Sequence, residues 1–473
     1  MKMKNMKQTF VFSLILIILG GGCNLKKEQS RPNVLFIAID DLRPELGCYG
    51  NSKVVSPNID GLAEQGILFE NNYCQVPVCG ASRSSLLTGL RPTEDRFKNK
   101  GDLPCKAVPG IATMPEHFKN NGYHVAGLGK IFHKTLGCSE VWSKPPYSPP
   151  FTGNWRNYQL DESKKIAQAN QGWGPPTEAA EGDDLTYQDG HIAKNAIQEL
   201  RYLGKDNKPF FLAVGLNKPH TPFTAPKKYW DLIDVNELRL ANNQYLPENA
   251  PDDAIYKSGE QRAYTGVPNT GEISDSLQLH LIHGYYACLA YADHLVGKIL
   301  HELEAQGLVK NTIVVLWGDH GYQLGEHGLW AKHCNFENAL RSPLIMKLPG
   351  HKGGIKEKRI TEFVDLYPTL IELCGIKPPK HELQGRDLMP LIKNAEIEWK
   401  EGAFSRWKDG YSFKNTRYRY TEYSKEGKVY AKMLYDHQND PNENVNVAEK
   451  TEYKEVATEL SSVLKKDWKV YFQ

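Results

Sequence analysis

The chain has 473 residues, of which 40% are hydrophobic and 24% are charged, and its formal net charge is +2 at pH 7. This composition is typical of an ordinary globular protein and excludes collagen-like and disordered chains. Removing residues 1–22, which carry Lys2, Lys4 and Lys7 and no acidic residue, changes the net charge to −1, so bulk binding of nucleic acid is also excluded. An anionic ligand would need a local cluster of cationic side chains.

The first 30 residues are MKMKNMKQTFVFSLILIILGGGCNLKKEQS. A basic start, an apolar run and small residues before Cys23 are typical of an export signal, and the run is shorter than the ~20 residues that a membrane span needs. The motif GGGC resembles a bacterial lipobox, which implies a signal peptide over 1–22, a lipid on Cys23 and a tether over 23–31. Gly20 stands where a larger aliphatic residue is usual, so simple cleavage is the alternative. We expect a lipid-anchored protein in the periplasm or on the cell surface.

From residue 32 onwards, apolar runs typical of buried strands alternate with helical patterns, which predicts a largely parallel, mixed sheet with helices on both faces. Each of four predicted strands is followed by polar or ionisable side chains. In chain order they are Val34–Ile39 before Asp40 and Asp41, Tyr123–Leu128 before Lys130 and His133, Phe210–Gly215 before Lys218 and His220, and Ile313–Trp317 before Asp319 and His320. Because open α/β sheets bind ligands at the carboxyl ends of their strands, we expect one shared site. A helix cap or a turn would explain any single strand end, but not the repetition.

Between the first two of these strands, residues 78–89 have the sequence VCGASRSSLLTG, which predicts a helix from Cys79 to about Thr88. Anions are favoured at a helix N-terminus, and Arg83 projects toward the same end of the helix. A cysteine in this position is either a nucleophile with a lowered pKa or a small buried apolar residue. The pattern alone leaves both interpretations open.

Two long stretches interrupt the alternation of strands and helices. Residues 139–180 are rich in Pro, Trp and Tyr, whereas residues 237–275 are polar and loop-like; long loops in a compact domain are commonly functional, so we expect both to form pocket walls. Beyond about residue 400, aromatic strands in GYSFKNTRYRYTEY and KVYAKMLYDHQ and a helix from about Glu452 to Trp468 predict a small α+β subdomain with an antiparallel sheet. The predicted boundaries are 32–395 for the large domain and 396–473 for the small one.

Apart from Cys23, eight cysteines are expected in an oxidising compartment: Cys48, Cys74, Cys79, Cys105, Cys138, Cys288, Cys334 and Cys374. No CxxC spacing occurs, which disfavours a zinc site. The sequence permits disulfides without specifying their pairing.

The run Cys79-Gly80-Ala81-Ser82-Arg83, followed by Thr88-Gly89, matches the C-x-[P/A]-x-R…TG signature of the type I sulfatases. Six further stretches resemble iduronate-2-sulfatase-like members of this family, in the same order and over nearly the whole mature chain. They are NVLFIAIDDLRPELGCYG, SPNIDGLAEQGILF, GLGKIFH, FLAVGLNKPHTPF, GDHGYQLGEHGLWAKH and LYPTLIELCGI. The resemblance implies an alkaline-phosphatase-like fold and hydrolysis of sulfate esters on a sulfated polysaccharide or oligosaccharide of the uronate, ulvan or glycosaminoglycan type. It also implies that a formylglycine-generating maturation enzyme oxidises Cys79. Ala81 replaces a more usual Pro, which bears on that enzyme rather than on the chemistry.

The same resemblance implies a role for each polar residue. A divalent cation, usually calcium, would be bound by the hydrated aldehyde at position 79 and by Asp40, Asp41, Asp319 and His320. One hydroxyl of the hydrate would attack sulfur as the sugar hydroxyl leaves, and the other would then lose its proton and expel sulfate, which restores the aldehyde. Carboxylates suit calcium and imidazole suits it poorly, so orienting other ligands is the alternative role for Asp41 and His320.

The remaining roles that the resemblance implies concern the sulfate and the leaving group. The sulfate oxygens would be held by Arg83, Lys130 and Lys332. His133 would be the base for sulfate expulsion, and His220 would contact or protonate the leaving oxygen. Lys218 would join this cluster or lie on the surface.

Three alternative functions stay open at this point. A phosphodiesterase or phosphonate hydrolase of the same superfamily would use a similar site, since fold does not settle function. A glycan-binding lipoprotein without catalysis would use the aromatic loops alone. A plain cysteine hydrolase would pair an unmodified Cys79 with His133 or His220.

Overall fold

The computed structural model describes residues 31–149, 156–206, 208–394 and 396–466. The predicted signal peptide, Cys23 and nearly all of the predicted tether lie outside these residues, as does Trp468. Within the described ranges, no helix combines the length and the apolar character that crossing a membrane requires.

The described residues form seventeen strands and thirteen helices. The strands are β1 Asn33–Ile39, β2 Ile67–Phe69, β3 Asn72–Tyr73, β4 His124–Gly129, β5 Thr177–Ala180, β6 Phe210–Leu216, β7 Phe223–Pro226, β8 Thr312–Gly318, β9 Gln323–Leu324, β10 Trp330–Ala331, β11 Leu344–Lys347, β12 Ile355–Glu357, β13 Thr361–Glu362, β14 Gly402–Trp407, β15 Gly410–Asn415, β16 Tyr418–Lys425 and β17 Lys428–Asp436. The helices are α1 Pro57–Glu64, α2 Cys79–Thr88, α3 Pro104–Ala107, α4 Met114–Asn120, α5 Asp161–Ala169, α6 Gln188–Leu203, α7 Lys227–Trp230, α8 Gly259–Arg262, α9 Asp275–Ala305, α10 Glu337–Leu340, α11 Leu366–Leu373, α12 Met389–Lys393 and α13 Lys454–Lys465.

The main sheet has seven strands in the order β12-β2-β11-β8-β1-β6-β4. The four strands β8, β1, β6 and β4 are mutually parallel, whereas β11 runs antiparallel to both of its neighbours. These four are the strands that the sequence predicts, with ends shifted by no more than one residue. Their carboxyl ends meet at one edge, so the predicted mostly parallel, mixed sheet is confirmed.

The continuous apolar run of β1 reflects burial on both faces of the sheet. Leu35, Ile37 and Ile39 face a core formed with helices α1, α6 and α9. The alternate residues of the strand face a second core formed with α2, α4 and α11. Full burial of a large apolar side chain contributes about 1.5–3 kcal/mol, so the two layers of helices hold the central strands, and the loops after them, in place.

The two long stretches contain more regular structure than the sequence predicts. Helix α5 and strand β5 lie inside 139–180, and β5 pairs in parallel with β7, which follows His220. The second stretch, 237–275, holds the short helix α8 and ends where the 31-residue helix α9 begins. Helix α5 buries Ser163 and Ala167, four residues apart on one face, and leaves its other face exposed.

The C-terminal strands β14 to β17 form an antiparallel sheet in chain order, and helix α13 packs on it. This confirms a separate antiparallel sheet near the C-terminus. The sequence analysis missed β14, and helix α13 is shorter than predicted. The boundary at residue 396 stays a prediction.

A buried ion cluster joins this sheet to the large domain, and we call it the junction cluster. It consists of Arg91, Glu362, Asp365 and Lys400. Arg91 donates two hydrogen bonds of 2.6 Å to the two oxygens of Glu362, and Lys400 Nζ lies 2.8 Å from Glu362 Oε2 and 2.5 Å from Asp365 Oδ2. The Phe404 N–H of β14 also donates to Glu362, which ties the small sheet to this cluster.

One disulfide, Cys105–Cys138, is present in the described part of the chain. It closes a 33-residue separation that contains β4 and the predicted residues Lys130 and His133. The six other cysteines there, Cys48, Cys74, Cys79, Cys288, Cys334 and Cys374, are free.

Candidate active site

Helix α2 begins at Cys79, as the sequence predicts, because Val78 before it is extended, and it ends at Gly89, whose φ is +67°. Gly80 is required by close packing, since a Cβ there would lie 2.1 Å from the backbone oxygen of Lys100. All ten residues of the helix are buried. The unpaired N–H groups of its first turn therefore surround position 79 inside the protein.

Three carboxylates converge on this helix end from two neighbouring strands. Asp40 and Asp41 follow β1 and Asp319 follows β8, and all three are fully buried. Asp41 has a φ of +60°, its N–H donates to Asp319 Oδ1 at 3.0 Å, and its carbonyl accepts from the Tyr285 hydroxyl at 2.8 Å. The chain thus turns sharply at the end of β1 and directs Asp41 toward position 79.

His320 contacts the cysteine directly. Its Nε2 lies 3.2 Å from Cys79 Sγ, and its Nδ1 lies 2.9 Å from the carbonyl of Gly321. A carbonyl oxygen only accepts, so Nδ1 carries a proton. Burial acts to lower the pKa of His320, but Asp319 and Cys79 outweigh it and raise the pKa to about 9. The ring would present the Nε2 lone pair to position 79 once the second proton is displaced, as a metal ion would do. This tautomer fits both a metal ligand and a partner that orients residue 79.

Three cationic side chains pair with the carboxylates. Arg83 Nε lies 2.8 Å from Asp319 Oδ2 and its Nη2 lies 3.1 Å from Asp40 Oδ1. Lys130 pairs with Asp40. Lys332 Nζ lies 2.9 Å from each oxygen of Asp41. The fold therefore brings together all three cations assigned to sulfate, Arg83 from α2, Lys130 from the loop after β4 and Lys332 from the loop after β10.

Three carboxylates face three cationic side chains in this cluster, so its formal charges are close to balance. Burial raises the pKa of Asp319 to about 7, and Asp40 adds to that rise although Arg83 opposes it. Burial and Asp40 act to raise the pKa of Cys79 also, but the nearby positive charges outweigh them and hold it well below its usual range. A further cation among the carboxylates would stabilise their charged forms.

The donor set fits a hard divalent cation. One group of mutually close ligand atoms, all within 4.8 Å of one another, comes from Asp40, Asp41, Cys79 and His220, and a second comes from Cys79, Asp319 and His320. Three of the six residues in the combined set are carboxylates, whose oxygens calcium prefers. Position 79 belongs to both groups, so a residue there would lie beside any ion that they bind.

The sequence matches the family model described as Sulfatase over residues 32–376 and the one described as N-sulphoglucosamine sulphohydrolase, C-terminal, over residues 325–469. The chain belongs to the sulfatase family. It is 32% identical to human iduronate 2-sulfatase over 417 residues, which cover 78% of this chain and 74% of that protein.

Two solved structures share the fold of this sulfatase. A protein in complex with its substrate D-glucosamine-2-N,6-O-disulfate has a TM-score of 0.75 and 22% identity, covering 93% of this chain and 98% of that one. The phosphonate monoester hydrolase of Agrobacterium radiobacter has a TM-score of 0.73 and 21% identity, covering 92% and 95%. At such identities the fold alone is shared. The sulfatase activity rests on the family match, and phosphonate hydrolases are structural relatives.

His220 lies at the edge of the sulfatase site. Its Nε2 is 4.0 Å from Asp40 Oδ2 and 3.9 Å from Asp41 Oδ2, and its Nδ1 donates to the carbonyl of Thr221 at 2.6 Å. Lys218 is buried rather than on the surface. Its ammonium donates to the carbonyls of His220 and Pro222 at 3.1 and 2.5 Å, so Lys218 supports the loop that carries His220.

His133 stands apart from the other predicted residues. Its ring is partly buried, and within the described ranges its Nδ1 makes no hydrogen bond. No hydrogen bond or ion pair recorded among those residues links it to Cys79, so its assigned role stays a prediction.

The sequence analysis missed two acidic residues that support the site. Asp189, at the start of α6, accepts from the backbone N–H groups of Asn217 and Lys218 at 2.9 and 2.7 Å. Glu260, on α8, pairs with His220 and Lys332. The segment of Glu260 was expected to form a pocket wall, but no local pattern singles out this residue.

Proposed function

We propose that this sulfatase uses formylglycine at position 79 and one calcium ion to remove sulfate from a sulfated glycan that contains uronic acid. One observation carries the proposal. Cys79 lies at the buried N-terminus of α2, with its Sγ 3.2 Å from His320 Nε2 and 3.9 Å from Asp41 Oδ1. No simple structural role of a free cysteine requires such a concentration of charged groups around it.

Asp40, Asp41, Asp319 and His320 would hold the calcium ion. When present, calcium stabilises negative charge on oxygen, and the hydrated aldehyde supplies a nucleophilic oxygen that a thiol lacks. The protein's own cations do the rest: the guanidinium of Arg83 and the ammonium groups of Lys130 and Lys332 would bind the sulfate oxygens. A well-placed donor contributes about 3–4 kcal/mol, and enzymes lower barriers by about 8–23 kcal/mol, so several donors are needed together.

His220 would act on the leaving oxygen and His133 would be the base that assists sulfate expulsion. The contact of His220 Nδ1 with the Thr221 carbonyl fixes the ring and leaves Nε2 facing Glu260 at 3.2 Å, with Asp41 at 3.9 Å and Asp40 at 4.0 Å. A proton held on Nε2 would pass to the sugar oxygen as the bond between sulfur and oxygen breaks.

The glycan substrate is inferred from the relatives. Human iduronate 2-sulfatase is named for a uronic acid sulfated at position 2, and a structural neighbour is described with a disulfated glucosamine as its substrate. The stretch that contains β5 lies beside the His220 loop through the β5–β7 pairing. This wall and the 237–275 segment would contact the sugar around the sulfate, where specificity for a glycosaminoglycan or an ulvan-type polysaccharide would be decided.

We also propose that the protein is exported and anchored through a lipid on Cys23. The fold is compatible with this arrangement because the chain enters at the edge of the sheet opposite the site. Arg31 lies two residues before β1 starts, and its guanidinium donates to the carbonyl of Asn121 at 2.9 Å. Asp40 and Asp41 follow the other end of β1. Fractionation of host cells that express the wild type or Cys23→Ser tests this; the variant should leave the membrane fraction.

Mass spectrometry of the peptide containing residue 79, from protein made in its native host, tests the nucleophile. We expect the mass of the aldehyde or its hydrate. An unmodified thiol in protein that still cleaves esters would support a cysteine hydrolase instead. Protein that carries the aldehyde but fails to release sulfate from aryl sulfates and defined sulfated oligosaccharides would favour a non-catalytic glycan-binding protein.

A further inference from the structure

Glu260 occupies an unusual position between two residues of the site. Its Oε1 lies 3.2 Å from His220 Nε2 and its Oε2 lies 2.9 Å from Lys332 Nζ. The side chain is 20% exposed, against 6% for His220 and 2% for Lys332. One largely buried carboxylate therefore bridges two groups that come from loops after different strands, β6 and β10.

The backbone around Glu260 is fixed to the same part of the molecule as Lys332. The Glu260 N–H donates to the Tyr256 hydroxyl at 2.9 Å, and Ser258 Oγ accepts from the N–H of Trp330 at 2.9 Å. Trp330 begins β10, which ends directly before Lys332. Short helix α8 and the Lys332 loop thus form one local unit, so the bridge does not depend on a mobile side chain reaching across the pocket.

Glu260 also differs from the other carboxylate that Lys332 contacts. Asp41 is a candidate calcium ligand, whereas Glu260 belongs to neither group of candidate ligand atoms found among the described residues. For His220, the carbonyl of Thr221 on one side and Glu260 on the other leave the ring with an acceptor at each nitrogen. Glu260 is therefore the acceptor that can orient both groups independently of the metal.

We propose that Glu260 is a positioning residue of the sulfatase reaction: it fixes the His220 ring and the Lys332 ammonium beside the sulfate position in the substrate-free site, and the leaving oxygen then shares the Nε2 proton that Glu260 holds in place. This proposal rests on the proposed roles of His220 and Lys332. Residues that orient catalytic groups or ligands typically change activity by about 10- to 100-fold when replaced. Because the effect passes largely through His220, it should grow as the leaving group becomes poorer.

The test compares host-matured wild type and Glu260→Gln on a series of substituted phenyl sulfates. The amide keeps the shape of the side chain and removes the charge. We expect kcat/KM to fall about 10-fold for 4-nitrophenyl sulfate and about 100-fold for phenyl sulfate, the two ends of the range for orienting residues, with calcium binding and melting temperature close to wild type. An equal loss across the series, or no loss, would overturn the proposal.

Glu45→Gln is the matched control. Glu45 is 21% exposed and pairs with Arg43 at 3.1 Å, away from both His220 and Lys332, so its replacement should leave the leaving-group dependence unchanged. If wild type carries the aldehyde and cleaves the whole series, the proposed function stands whatever Glu260→Gln does. If wild type cleaves none of the phenyl sulfates and carries an unmodified thiol, the proposed function fails first and the positioning role fails with it.

Discussion

The active site and the junction cluster are both buried sets of ion pairs, but they are built differently. In the junction cluster, two carboxylates face two cations, and both oxygens of Glu362 also receive further donors. In the active site, three fully buried carboxylates share their cations with a cysteine at a helix N-terminus. The first arrangement links two parts of the fold, whereas in the second the cations that pair with the carboxylates are the ones proposed to bind sulfate.

The difference shows how to separate architecture from function when charges are buried. Buried charges are costly unless they are paired and hydrogen-bonded, so a closed cluster is explained by the two parts of the fold that it joins. A raised pKa does not separate the two clusters, because burial raises the pKa of Asp365 in the junction cluster as it does that of Asp319 in the active site. What separates them is that the carboxylates and cations of the active site surround a cysteine at a helix N-terminus. The buried charged groups of the active site are explained by a ligand that binds among them. Breaking the junction cluster should therefore reduce stability, whereas breaking the active-site cluster should reduce activity.

The largest expected effect is that of Cys79→Ser on the active site. A serine cannot become formylglycine along the cysteine route, so turnover of aryl sulfates should fall by about 10⁵-fold or more, as for loss of a nucleophile in other enzymes. The melting temperature should change little, because a hydroxyl is close to a thiol in size. Steady-state kinetics and thermal melts of the two proteins test this, and an unchanged rate would refute the role of position 79.

Asp319→Ala should have the next largest effect on activity, because it removes a carboxylate that pairs with Arg83 and is a candidate ligand of the calcium ion. We expect activity to fall about 10³-fold, in line with several kcal/mol of metal-dependent stabilisation. Calcium at 100 times its Kd should stabilise wild type by about 2.7 kcal/mol and should not stabilise the variant. Melting curves with calcium and with chelator measure this. Full activity of wild type in chelator would remove the ion from the reaction.

Glu362→Gln should have the opposite pattern, since it breaks the junction cluster. Removing one partner of a buried ion pair costs about 3–5 kcal/mol, so the free energy of unfolding should fall by that amount. The kcat of the folded protein should stay within about twofold of wild type, since Glu362 pairs with Arg91 and Lys400 and no hydrogen bond or ion pair between described residues links it to the active site. Urea unfolding and kinetics measure both. A large loss of kcat without loss of stability would contradict the assignment.

The same variant should change how stability depends on acid. Burial acts to raise the pKa of Glu362, but Arg91 and Lys400 outweigh it and hold the pKa at about 2. A carboxyl group whose pKa is lowered by folding stabilises the protein above its unfolded pKa, about 4.3 for Glu. That stabilisation is lost as the pH falls toward 2. Between these values, wild type should lose more stability than Glu362→Gln, as acid titrations of unfolding would show.

Lys218→Met should have the smallest effect, and it should reduce both stability and activity. Its ammonium supports two carbonyls of the His220 loop, and leaving them without a donor costs about 1–3 kcal/mol. Activity should fall about 10-fold through displacement of His220, as for other residues that orient a catalytic group. Kinetics on phenyl sulfates and thermal melts test this. Unchanged activity would show that the loop holds its shape without Lys218.

The amino-acid sequence by itself determined the α/β fold, the four central strands and the start of α2. These features depend on short-range patterns: apolar runs long enough for a buried strand, a helical pattern that a glycine ends, and polar residues directly after each strand. The bounds of β1, β4, β6 and β8 lie within one residue of the predicted ones for this reason. The same patterns pointed to Asp40, Asp41, Asp319 and His320 as neighbours at one sheet edge.

Only the tertiary structure decided which side chains meet and in which order. The hydrogen bond between Asp41 and Asp319 joins residues 278 positions apart, and the Cys105–Cys138 disulfide and the bridge of Glu260 to Lys332 are also contacts that no local period encodes. Glu260 lies in a loop-like segment whose conformation depends on packing against β10. Long-range contacts of this kind follow from strand order and loop closure, so the sequence indicated where the site is and the fold determined how it is assembled.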